Sequence, residues 1–101
     1  MIYSLTGPIE HKLPTALVLK VNNIGYLVQC TTQTINKYQV NDTINLITYH
    51  HFREDNQVLF GFETAKEREL FEALISVSGI GPKVAINIIS SISISDFVTA
   101  I

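Results

Sequence analysis

The chain has 101 residues, with seven Lys and Arg against nine Asp and Glu and a formal net charge of −2, and its 47% hydrophobic content can fill a core, which excludes wholesale disorder. No apolar stretch approaches the ~20 residues of a membrane helix, so none is expected. A strongly basic nucleic-acid footprint is absent, and Cys30, the only cysteine, excludes a disulfide framework and a cysteine-built zinc site.

The opening run from Met1 to Pro8 has no basic n-region and no long apolar h-region, and it reads as the unprocessed start of a cytoplasmic protein. The spacing predicts a first strand over 2–7, ended by Gly7-Pro8, and a second over 15–21. Asn22-Asn23 then form a tight turn, because asparagine tolerates positive φ. A third strand follows over 24–31. Residues 32–42 are polar and irregular, with room for one helical turn. A fourth strand covers Thr43–Phe52, and Glu54-Asp55-Asn56 is a polar turn. In the fifth, Gln57–Phe62, Val58, Phe60 and Phe62 alternate with Leu59 and Gly61, the period of a half-buried strand. About five short strands in roughly 62 residues suggest a small closed barrel, and the OB-fold is the commonest candidate of that size.

Near residue 63 the apolar spacing becomes helical. Thr64-Ala65-Lys66-Glu67 matches a capping box, and Leu70, Phe71, Leu74 and Ile75 share one face of the helix it opens. Ser78-Gly79 is expected to stop that helix, with Gly79 in the left-handed region. Pro82 sits where a first helical residue is favoured, and a helix is expected from there to about Ser90. Ser93-Ile94-Ser95-Asp96 resembles a second capping start. The chain then ends inside an apolar pattern, Phe97-Val98-Thr99-Ala100-Ile101, so a piece of a longer protein is expected. The fold class expected is β-barrel plus α: a barrel over 1–62 and a truncated helical domain over 63–101.

The stretch that carries chemistry is Val77-Ser78-Gly79-Ile80-Gly81-Pro82-Lys83. Gly79 and Gly81 permit unusual backbone geometry and close approach of another backbone, and Ile80 can plug between the helices. The second helix points free N–H groups and the positive end of its dipole outward, which suits a phosphate. Pro82 has no N–H, so the donors expected are those of Gly81, Lys83 and Val84, with the Lys83 ammonium adding a charge-assisted contact. Such a grip contacts backbone and reads no base sequence. The pattern resembles the helix-hairpin-helix of DNA-binding proteins. Taken alone, it fits equally a glycine-rich turn between packed helices.

Context makes the resemblance specific. Met1-Ile2 leads to Leu5-x-Gly7, and Asn23-x-Gly25-Tyr26-x-Val28 follows. Thr48-Tyr49 leads to Arg53-Glu54-Asp55 and Leu59-Phe60-Gly61-Phe62, then Glu67-Arg68, Leu70-Phe71 and Leu74-Ile75, then Gly79-Ile80-Gly81-Pro82-Lys83-x-Ala85. In this order, over the whole chain, the motifs resemble the RuvA family, bacterial proteins that bind Holliday junctions. The resemblance implies an OB barrel followed by a helix-hairpin-helix domain. It implies a homotetramer that holds four-way junction DNA open in recombination, repair and the SOS response. It also implies a RuvB ATPase motor as partner and the RuvC resolvase as a further one, while the residues themselves carry no P-loop, no G-x-S-x-G elbow and no Cys/His metal spacing, so no catalytic constellation, no cofactor and no membrane partner are expected. Glu54 and Asp55 match the family's acidic pin, where carboxylates gathered at the fourfold axis repel phosphates, and Arg53 beside them is a candidate DNA contact. From the residues alone, the pair reads as a solvated hairpin tip, and only the resemblance favours the pin. The family's second hairpin and RuvB-binding domain lie outside these residues, so weaker junction binding and no RuvB recruitment are expected of this chain.

Other readings stay open at this point. Residues 1–62 balance Lys12, Lys20, Lys37 and Arg53 against Glu10, Asp42, Glu54 and Asp55, while residues 63–101 are net acidic. A protein-binding adaptor fits that charge. An NAD-dependent ligase also joins an OB-fold to helix-hairpin-helix units, but through a four-cysteine zinc module. His50 and His51 point to opposite strand faces and suit no shared metal. Cys30 is expected to be an apolar filler, and Lys12, Lys20 and Lys37 are either solvated or along a DNA path.

Overall fold

The computed structural model describes residues 1–92, so the expected helix start at Ser93–Asp96 and the apolar end after it lie outside the described residues. Strand periodicity builds the first half. Leu5, Gly7 and Ile9 point inward from β1 (Ser4–Lys12), and Ile44, Leu46 and Thr48 from β4 (Thr43–Phe52). With β2 (Ala16–Val21), β3 (Ile24–Cys30) and β5 (Gln57–Phe62) they close a barrel in the order β1-β2-β3-β5-β4. All pairs are antiparallel except β3 with β5, and β1 pairs β4 across the closure. This is the OB-fold. Ile9, Leu17, Leu19, Val28 and Leu46 fill its centre and are fully buried.

The first strand does not end at Gly7-Pro8. It runs on to Lys12, and the expected stop is corrected by two features. A Cβ on Gly7 would lie 2.5 Å from the Lys20 carbonyl oxygen, so this glycine serves a close backbone crossing. Pro8 stands opposite Thr43 at the end of the pairing with β4, and the register then shifts between Ile9 and His11 as the strand moves on to β2. A proline is tolerated at such a bulged corner. The Asn22-Asn23 turn is as expected, with φ of 50° and 66° and Val21 opposite Ile24.

Between β3 and β4 the chain forms more than one turn of helix, α1 (Thr32–Lys37). The Thr31 hydroxyl accepts from the Thr34 N–H, and Ile35 packs into the barrel core. The Tyr38 hydroxyl donates to Glu63, and Lys37 pairs with the same carboxylate at 3.3 Å, which ties α1 to the segment leaving the barrel.

Two helices follow, α2 (Ala65–Ile75) and α3 (Pro82–Ser91). Thr64 caps α2 as expected, accepting from the Glu67 N–H at 3.2 Å. Phe71 is fully buried against Tyr49, Phe60 and Phe62 of the barrel, with ring centroids 5.3, 5.1 and 5.0 Å away. Ala85, Ile86 and Ile89 of α3 complete this second core. Arg68 fixes the angle of α2 on the barrel. Its Nε donates to the Thr48 carbonyl at 2.9 Å, its guanidinium pairs with Glu72, and its Cζ lies 5.2 Å from the Tyr3 ring centre and 5.6 Å from that of Tyr49. Arg68→Ala is expected to cost about 2 kcal/mol in urea unfolding. Arg68→Lys should recover little of it, since an ammonium lacks the planar fork.

Candidate nucleic-acid interface

The hairpin between α2 and α3 is built from local rules. α2 stops at Ile75, three residues before the expected Ser78, and the Ser76 hydroxyl turns back to donate to the Ala73 carbonyl at 2.6 Å. A turn then closes from the Ile80 N–H to the Val77 carbonyl at 3.1 Å, and Gly79 inside it has φ +88°, a region closed to most side chains. Ile80 packs against the Phe71 and Ile86 core, as a plug between the helices should.

Gly81 is the N-cap of α3 and no side chain caps the helix. The first helical bond runs from the Ala85 N–H to the Gly81 carbonyl at 3.0 Å. The N–H groups of Lys83 and Val84 precede it and face outward. A Cβ built on Gly79 or on Gly81 would meet nothing within 4 Å. The crowding that explains Gly7 is therefore absent here, and the bare backbone faces open space. Lys83 and Val84 are exposed beside it.

Arg53, Glu54, Asp55 and Asn56 form the turn between β4 and β5, closed by a 2.8 Å bond from the Arg53 N–H to the Asn56 carbonyl. Glu54 and Asp55 are exposed at its tip. The structure brings Arg53 together with Gly81, Lys83 and Val84: all four line one groove of about 670 Å³ between the barrel and α3. Glu54, Asp55 and Gly79 do not line it.

The remaining candidates resolve plainly. His50 Nδ1 accepts from the Ile2 N–H at 3.2 Å, and its Nε2 lies 3.0 Å from Gln57 Oε1, so both ring nitrogens are satisfied within the barrel. His51 lies on the opposite strand face and lines the groove. Among the described residues no group of three His, Cys, Asp or Glu could hold a metal ion. Burial pushes the Cys30 thiol up to about 12, so it is the filler expected and no nucleophile. Half-burial, helped by Glu63, raises the Glu67 carboxyl. Lys12 donates to the Tyr38 carbonyl at 2.8 Å, and Lys20 and Lys37 pair with Glu10 and Glu63. All three lysines are engaged away from the groove. Arg68 enters the sequence reading only within the Glu67-Arg68 match, with no role expected of it, and Asn87 does not enter it at all. The only signal for Asn87 is its place one helical turn after Lys83.

The architecture defines a class: an OB barrel whose last strand leads directly into a helical hairpin with an open, glycine-flanked helix start. Within that class, the family model described as "RuvA N terminal domain" matches residues 1–61. The chain belongs to the RuvA N-terminal domain family. Among its relatives is the "Holliday junction branch migration complex subunit RuvA" of Geobacter metallireducens, 46% identical over all of this chain and 51% of the relative. Proteins of that name from Oceanobacillus iheyensis and Geobacter sulfurreducens are 42% and 44% identical, again over the whole chain and 50% and 51% of their own length. The chain thus spans about half the length of the curated relatives it matches.

Proposed function

We propose that this chain is the junction-binding half of a Holliday junction branch migration subunit, and that it binds four-way DNA by its structure rather than its sequence. The single observation that carries the reading is the unfilled space at Gly79 and Gly81, beside an uncapped helix start, in a chain related over its whole length to Holliday junction branch migration subunits. The N–H groups of Gly81, Lys83 and Val84 hold phosphate oxygens, and the Lys83 ammonium adds charge. Barrel 1–62 and hairpin domain 63–101 divide the work. The barrel carries Arg53 as a DNA contact and Glu54 and Asp55 as the pin, and the helices carry the grip.

The proposed role is binding, not catalysis. In a homotetramer, four pins sit at the crossover and keep the strands apart. The RuvB ATPase, with RuvC as a further partner, acts on the DNA so held, through segments of the longer protein. The zinc-module ligase alternative has no support, since only Glu63 and Thr64 separate β5 from α2 and the lone Cys30 is buried.

The test is a gel shift at low salt, comparing a synthetic four-way junction with linear duplex of equal length. The chain is expected to prefer the junction. Lys83→Glu should lower junction affinity at least about tenfold, since one lysine–phosphate pairing at 0.1 M salt is worth nearly that factor. Equal affinity for the two DNAs, or no binding by the folded chain, overturns the reading.

A further inference from the structure

We propose that the groove between the barrel and α3 is itself a binding site for the sugar–phosphate backbone of a DNA strand, with His51 and Asn87 as contact residues beyond the hairpin. The inference rests on the junction-binding reading and deepens it, by carrying the strand from Lys83 past the barrel wall toward the β4–β5 turn.

The groove has two walls of matching chemistry. His51, Arg53 and Asn56 line it from the barrel, and Lys83, Asn87 and Ser90 from α3. Lys83, Asn87 and Ser90 fall at i, i+4 and i+7 and form one stripe along the helix. His51 and Arg53 are two residues apart, one at the end of β4 and the other just beyond it. Each of the six offers an N–H or O–H donor. The oxygens of a phosphodiester accept and never donate, so the walls and that ligand are complementary.

Charge points the same way. The chain has more acids than bases, yet among the described residues no Asp or Glu lines this groove. It is a cationic enclave in an acidic protein, and Glu54 and Asp55 stand just beyond Arg53 at its rim. A polyanion that enters beside the hairpin is held along the groove and turned away at the tip. Asn87 is exposed and lies outside both cores, so its side chain can be changed without disturbing the fold.

The experiment is a fluorescence-anisotropy titration of the 101-residue chain with a synthetic four-way junction over a series of salt concentrations. Asn87→Lys is expected to tighten binding about tenfold at 0.1 M salt and to steepen the slope of log affinity against log salt by about 0.9. Asn87→Asp should weaken it by a similar factor, and His51→Ala should weaken it about threefold. Asn36→Lys and Asn36→Asp, on the exposed face of α1, make the same charge changes outside the groove and should leave both quantities unchanged. Thermal melts matching the unaltered chain confirm that each variant is folded. If the Asn87 pair behaves like the Asn36 pair while Lys83→Glu still weakens binding, the groove site is overturned and the hairpin grip stands. If Lys83→Glu has no effect either, both fall.

Discussion

Phe71→Ala is expected to lower the stability of the chain by about 3–5 kcal/mol, the cost of an emptied aromatic site in a packed core. Phe71 is 0% exposed and touches Tyr49, Phe60 and Phe62 at once, so no neighbour can collapse into its place cheaply. A domain of this length has only about 5–15 kcal/mol in total. The change should show as a large fall in the urea midpoint followed by circular dichroism. Phe71 belongs to the cluster beneath the helices, while the barrel interior is a separate cluster. Amide exchange should therefore speed up in α2 and α3 well before it does in β1 and β2. Uniform acceleration across both would contradict the two-core description.

Neutralising the proposed pin, with Glu54→Gln and Asp55→Asn together, is expected to leave stability unchanged and to raise affinity for linear duplex roughly 100-fold at low salt relative to the junction. Both side chains are exposed at the tip of a turn closed by backbone, not by their carboxylates. Removing their charge costs the fold nothing, and in the proposed four-subunit assembly it would remove every like-charge clash at the crossover at once. The effect should shrink as salt rises and the Debye length falls below about 10 Å. Competition gel shifts with junction and duplex at two salt concentrations measure it. An unchanged preference would return Glu54 and Asp55 to being solvated turn residues.

The barrel was legible from short apolar runs broken by turn residues, although β5 is not the half-buried strand its alternation suggests: Leu59 faces the barrel core and Val58, Phe60 and Phe62 face the core beneath the helices, so both faces are covered. Val58, Phe60 and Phe62 announce β5, and the Asn22-Asn23 pair announces the β2–β3 hairpin through its tolerance of positive φ. The end of β1 was not legible, since Gly7-Pro8 has the composition of a turn. Its role as a corner depends on Lys20 crossing above it, a contact far off in sequence. The length of α1 was hidden for a similar reason: its stability comes from Ile35 entering a core that strands from both sides of it create. At the site, the glycines and Lys83 stand out locally because helix ends obey local rules. The groove does not, because it exists only once α2 has set α3 against the barrel. Arg68, which sets that angle, looks in the sequence like any solvated helix arginine until Thr48, Tyr3 and Tyr49 come together around it.

The way the barrel closes has a consequence for the newborn chain. Ser4 finds its partner at Ile47 and Cys30 finds its own at Gly61, so the first three strands leave the ribosome as a curled sheet with both edges bare. Nothing can cover those edges until β4 and β5 have been synthesised. Tyr49, Phe60 and Phe62 are also the surface on which α2 docks, so the helices have no seat until the barrel is shut. Within residues 1–92 the α2–α3 hairpin is thus seated only after the barrel has closed. A half-made chain exposes strand edges and has no seated hairpin, so the free backbone at Gly79 and Gly81 takes its place only when the strands have found their partners.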